Sequence, residues 1–233
     1  MHGFARLAMV AVFVFAGAGA GAALADDDTK LSDPNPPANP KIEVSRGDRW
    51  IYEVRDDITD DLRSVLDFAV TDVTDSEIDT RVRHTNTGTN AETVQVQVFD
   101  QNWRLKDNSG SIFRPAADET GIPPDIQVGK SWSYGFESTR LSPAAHFKFA
   151  GKAKVESWER VAVGNGLSYD AFKIVFNSAV TPVVNNRKFE THVELWYAPA
   201  ANRYVKRRYE SRQSGKLVEA TVETLRDYQR RAK

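Results

Sequence analysis

Glu190, His192 and Glu194 carry the densest group of chemically capable side chains in the sequence. A spacing of two puts all three on one face of an extended strand, with Trp196 next in line. Two carboxylates and an imidazole on one face make a ligand set for a divalent cation, which His146 or His84 could complete. The plainer account is a solvated strand face opposite Phe189, Thr191, Val193, Leu195 and Tyr197, with Glu194 pairing Lys206 or Arg207 across a hairpin. That account is preferred, because the other histidines follow no ligand spacing. A metal-dependent or other envelope hydrolase using Glu190, His192 and Glu194 is therefore the alternative reading, and the chain is expected to need no cofactor.

Other chemistries find less support. Gly129-Lys130-Ser131 resembles the end of a phosphate-binding loop, but its partner glycine would fall on Pro124. No Gly-x-Ser-x-Gly elbow occurs, and with no cysteine in the chain there is no thiol nucleophile. Five tryptophans, Trp50, Trp103, Trp132, Trp158 and Trp196, invite a carbohydrate or lipid reading. Trp158 and Trp196 are the candidates for ligand binding, since each alternates with charged neighbours and could face outward to stack on a sugar or an acyl chain. Ordinary packing on a sheet explains the same residues.

The elements that must position these groups are strands. Period-two alternation runs through Trp50, Tyr52 and Val54, then Leu66, Phe68 and Val70, then Ile78, Thr80 and Val82. Val94, Val96 and Val98 alternate with Thr93, Gln95, Gln97 and Phe99, again with one face packed and one wet. After Arg114–Asp125, where Pro123-Pro124 excludes a helix interior or a central strand, alternation resumes from Val155 to Leu225. The tail from Glu223 is read as a frayed helix. Gly47-Asp48-Arg49-Trp50-Ile51-Tyr52 is echoed 82 residues later by Gly129-Lys130-Ser131-Trp132-Ser133-Tyr134. Duplication of a half-domain and a common way of starting strands both account for it.

Residues 1–25 read as an export signal: Arg6, an apolar run from Leu7 to Phe15, and Ala23-Leu24-Ala25 before Asp26. Cleavage after Ala25 and a periplasmic or secreted location are expected. Residues 26–41, rich in Asp and Pro, read as a flexible linker. Lys plus Arg number 31 and Asp plus Glu 32, so nothing electrostatic points to nucleic acid. No stretch after the signal has the roughly 20 apolar residues of a membrane helix. An exported chain without cysteine must rely on its core and sheet hydrogen bonds.

The second half carries a resemblance. Gly129-Lys130-Ser131-Trp132, Ala153 to Val163, Tyr169-Asp170-Ala171-Phe172-Lys173-Ile174, Glu194-Leu195-Trp196-Tyr197-Ala198-Pro199 and Tyr204 to Glu210 follow in order. The series resembles the bacterial exported domains grouped as domain of unknown function 3108. It departs from them at Gly164-Asn165-Gly166-Leu167-Ser168. The resemblance implies an antiparallel β fold in the envelope and no particular activity. The expected architecture is all-β: an antiparallel, twisted meander sheet curled into an open or nearly closed barrel. It is one β domain over 42–233, in two halves of about 42–113 and 126–228. The expected function is non-catalytic, a binding or envelope-accessory module for a lipid, glycan or protein partner.

Overall fold

A computed structural model describes residues 31, 33–184 and 187–231. The leader expected over residues 1–25, and residues 26–30 and 32 of the expected linker, lie outside them. Twelve strands follow one another: β1 (Arg49–Asp56), β2 (Leu62–Val73), β3 (Ile78–Asn86), β4 (Glu92–Phe99), β5 (Leu105–Asn108) and β6 (Ser111–Ala117), then β7 (Ser131–Leu141), β8 (Ala144–Ala162), β9 (Ser168–Pro182), β10 (Phe189–Ala198), β11 (Arg203–Gln213) and β12 (Lys216–Gln229). Each pairs antiparallel with the next, and β1 pairs with β12, so the sheet is a closed up-and-down barrel. Closure removes both free edges. The tail expected as a helix is the last strand, because Thr221 to Gln229 complete the pairing with β1.

Turn chemistry sets the hairpins. Ser109-Gly110 and Ser214-Gly215 each place two consecutive residues at positive φ, the I′ geometry whose twist matches that of the flanking strands. Asp56 and Asn86 instead open longer loops, each accepting two amides of its own turn on Oδ1. All odd-to-even hairpins lie at one end of the barrel, the rim. The even-to-odd connections lie at the other, the base.

Period two decides what faces inward. Trp50, Tyr52, Phe68, Val70, Ile78 and Val82 are buried, as alternation predicts. In β4 the face that packs is the one with Phe99: Phe99 is buried opposite Ile78 and Gln95 lies opposite Val82, so the glutamines point inward and Val94 and Val96 stand in solvent. Alternation specifies two faces without saying which is wet, and here cross-strand register decides.

The echoed segments open β1 and β7, the first strands of two six-stranded halves. Gly47 and Gly129 have φ of +95° and +91°. In one half, Gly47 N donates to Val70 O and Val70 N to Asp48 O; in the other, Gly129 N donates to Val155 O and Val155 N to Lys130 O. The amides of Asp48 and Lys130 close matching turns onto Ser45 O and Gln127 O.

Candidate ligand-binding lumen

The base of the barrel is sealed by the turn Pro199–Ala201 between β10 and β11, followed by Asn202 in the left-handed region. Three aromatic donors hold its backbone: Trp50 Nε1 to Ala201 O at 2.8 Å, Trp103 Nε1 to Asn202 O at 2.8 Å, and Tyr52 OH to Tyr204 O at 2.7 Å. Arg203 lies among these rings, its guanidinium carbon 3.8 Å from the Phe68 centroid and 4.7 Å from that of Trp103. It is 4% exposed, and its Nη1 has no hydrogen-bond partner among the described residues. Aromatic quadrupoles are therefore its main compensation for lost hydration. Burial drives the Tyr52 and Tyr204 hydroxyls well above the ordinary phenol range.

The connector between β6 and β7 also turns inward. Ile122 and Ile126 join the core. Glu119 crosses to the inner wall, where its Oε1 accepts from Ser178 at 2.6 Å, Tyr134 at 3.2 Å and Thr191 at 3.4 Å. Tyr134 reaches it by lying flat over Gly151, where a Cβ would stand 2.6 Å from the phenol oxygen. Burial, then Glu119, pushes the Tyr134 hydroxyl up. Beside this cluster Arg207 pairs with Glu223 at 2.9 Å, and Tyr204 OH donates to the same carboxylate at 2.7 Å. Arg207 Nε has no partner among the described residues. Nearer the base, Asp118, Arg104, Pro123, Pro124 and Trp132 line a cavity of about 200 Å³. Burial raises the Asp118 carboxyl.

Above Glu119 the interior changes character toward the rim. One wall is aromatic: Phe136 stacks on Phe149 at 4.3 Å and meets Phe113 at 6.0 Å. The opposite wall is polar, with Ser64, His84, Gln95 and Thr93 on the inner face of β2 to β4. Burial falls along the inward positions of β3 and β4, whereas the inward Ser64, Val180, Thr191 and Ser211 near the rim ends of β2, β9, β10 and β11 stay buried. Thr80 is fully buried near the base, His84 is half-buried, and Thr93 is exposed. Solvent thus reaches the inner face at the rim end of the β3–β4 hairpin.

Glu190, His192 and Glu194 do share one strand face, and it is the outer face of β10, away from the lumen. Glu194 is held by Lys173 at 2.5 Å and approached by Arg208 at 3.8 Å. His192 bonds Asn177 at 2.8 Å. With Glu190, Glu210 and Arg212 these two line a shallow surface hollow of about 350 Å³. His146 bonds Glu137 at 2.7 Å, and His84 faces the interior. Among the described residues no group of three His, Asp or Glu is placed to hold a metal ion.

The two candidate tryptophans are partly occupied. Trp196 is 7% exposed, donates to Glu159 at 2.6 Å, and has the Lys173 and Lys206 ammoniums 5.3 and 5.2 Å from its ring centroid. Half-buried Trp158 tilts onto Phe172 at 4.7 Å and donates to Asp33 O at 3.0 Å. Sequence reasoning missed Glu119, Arg203 and Arg207 as interior groups. For Arg207 a signal existed: it is in phase with Val205 and Tyr209.

No family model and no curated protein matches the chain. Solved structures do. A candidate lipoprotein from Parabacteroides distasonis superposes with a TM-score of 0.53 at 13% identity, over 79% of this chain and 96% of that one. A candidate exported protein with a YmcC-like fold from Bacteroides fragilis gives 0.52 at 10% identity, over 83% and 100%. At such identities the likeness is one of fold, and this chain has the same all-β architecture.

Proposed function

We propose that this chain is a non-catalytic envelope protein whose barrel lumen takes up an amphipathic, lipid-like ligand through the rim. The observation that carries the reading is the fall in burial along the inner face of β3–β4, from Thr80 near the base to Thr93 at the rim. An apolar chain would lie against Phe113, Phe136 and Phe149, where aromatic surface is already grouped. The head group would sit deeper. Glu119 offers acceptor capacity and Arg207 Nε an unused donor, so a head that both donates and accepts, hydroxylated or zwitterionic, suits them better than a purely anionic one.

The leader pattern supports placement in the envelope, as do the two structural neighbours, one a candidate lipoprotein and the other a candidate exported protein. The ordered motifs from Gly129 to Glu210 support kinship with the domain of unknown function 3108 group. The test is titration with N-phenyl-1-naphthylamine, whose fluorescence rises in apolar sites. Wild type and Phe149→Leu should bind it, and Phe149→Arg should lose binding with an unchanged circular dichroism spectrum. Absence of enhancement in the wild type, or equal binding by Phe149→Arg, would refute the lumen site.

A further inference from the structure

Exposed apolar side chains are not spread evenly over the barrel. Eight of the eleven large ones among the described residues lie in rim hairpins or within three residues of them: Ile58, Val94, Ile112, Leu141, Val183, Val184, Leu217 and Val218. The two most exposed, Leu141 at 86% and Val184 at 88%, belong to neighbouring loops. Pro182 pairs with Phe147, and Val183 N donates to His146 O at 2.9 Å, so the β7–β8 tip and the start of the β9–β10 loop form one projection.

Basic side chains outnumber acids around that projection, where Glu137 and Glu190 are the nearby carboxylates. Residues 138–155 contain Arg140, Lys148, Lys152 and Lys154 and no acid, and residues 171–189 contain three Lys or Arg and no acid. Glu137 reaches in to pair with His146 and Lys148. Arg140 contacts only the Pro143 carbonyl at 3.3 Å, and no carboxylate lies within ion-pair distance of it or of Lys188 among the described residues. The rim hairpin diametrically across the barrel, Asp56 to Asp61, is acidic instead.

We infer that Leu141, Val183 and Val184, ringed by Arg140, Lys148 and Lys188, form a docking surface for an anionic lipid bilayer. Apolar tips this exposed gain by entering the acyl boundary, while the long basic side chains keep their charges among the head groups. The acidic hairpin opposite would be repelled, which tilts the barrel onto its β7–β10 side. The inference stands whether or not the lumen binds a ligand.

The absence of cysteine permits single-site labelling. Val184→Cys and, at the base, Leu167→Cys are each labelled with an NBD fluorophore in the full chain. Both share one N-terminus, so attachment through a leader moves both probes alike. With vesicles of phosphatidylcholine and phosphatidylglycerol, the probe at 184 should brighten at least about twofold and shift to the blue, with little response at 167. Arg140→Gln and Lys188→Gln should each weaken vesicle affinity about fivefold. An equal response at both sites, or none at 184, would overturn the inference. So would a probe at 184 that brightens with protein concentration in the absence of lipid, which would indicate a second copy on this surface.

Discussion

The two halves of the barrel start in the same way and then diverge. Gly47 and Gly129 adopt the same left-handed conformation, bracket a valine on the second strand through the same pair of backbone hydrogen bonds, and send a tryptophan and a tyrosine inward. In the first half the strands are short: β4 has eight residues and β5 four. In the second they are long, with nineteen in β8 and fifteen in β9. The first half spends its tryptophan sealing the base, where Trp50 is wholly buried, whereas Trp132 in the second is half-buried against Phe176. The first hairpin of one half is acidic and that of the other basic and apolar. A shared opening device fixes where strands begin, and the side chains that follow determine whether a half closes the barrel or shapes its lumen and rim.

Substitution at equivalent positions tests this contrast. Trp50→Ala should have the largest effect, about 3–5 kcal/mol, through the cavity and the lost bond to Ala201 O. Trp132→Ala should cost roughly half as much, since less surface leaves water there. Denaturant midpoints compare the two, and equal losses would break the asymmetry. Glu119→Ala removes the shared acceptor of Tyr134, Ser178 and Thr191, leaving the latter two only their mutual bond, and should cost about 1–3 kcal/mol. Glu119→Gln should recover part of that loss.

Glycine substitutions come next. Gly129→Ala meets no atom within 4 Å, so its cost is the strain of a positive φ, about 1 kcal/mol. Gly47→Ala adds a Cβ only 2.8 Å from Arg231 Cδ and should be the worse of the pair by thermal melting.

The smallest effect concerns acid stability. The backbone amides of Thr59 and Ile58, with Arg63, hold the Asp56 carboxyl below its ordinary 3.8. Such a group stabilises the fold above the unfolded pKa and loses that contribution as pH falls through the folded one. Asp56→Asn should therefore flatten the decline in stability below about pH 4. An unchanged acid limb would show that the hairpin contributes nothing there.

Much of the fold was legible in the sequence. Alternation of Trp50 with Tyr52 and of Phe68 with Val70 placed these residues inside. Local pattern has limits, and Val94 and Val96 show them: period two separates faces, while their assignment needs the register with β3. The candidate trio at Glu190, His192 and Glu194 was correctly put on one face, but its surroundings depend on Lys173 and Arg208 from neighbouring strands. Glu119 and Arg203 were illegible for a different reason. Each follows an irregular connection that dips into the lumen, and no periodicity marks a loop that turns inward.

A pair of threonines on the inner face of the β3–β4 hairpin tests the one-ended lumen most directly. Thr80 is fully buried near the base and Thr93 is exposed near the rim. Maleimide should label Thr93→Cys at least about a hundredfold faster than Thr80→Cys, since reaction at the buried site waits for opening, and saturating N-phenyl-1-naphthylamine should slow only the former. Comparable labelling of both sites, or a Thr93→Cys rate indifferent to the ligand, would contradict a lumen sealed at the base and entered from the rim.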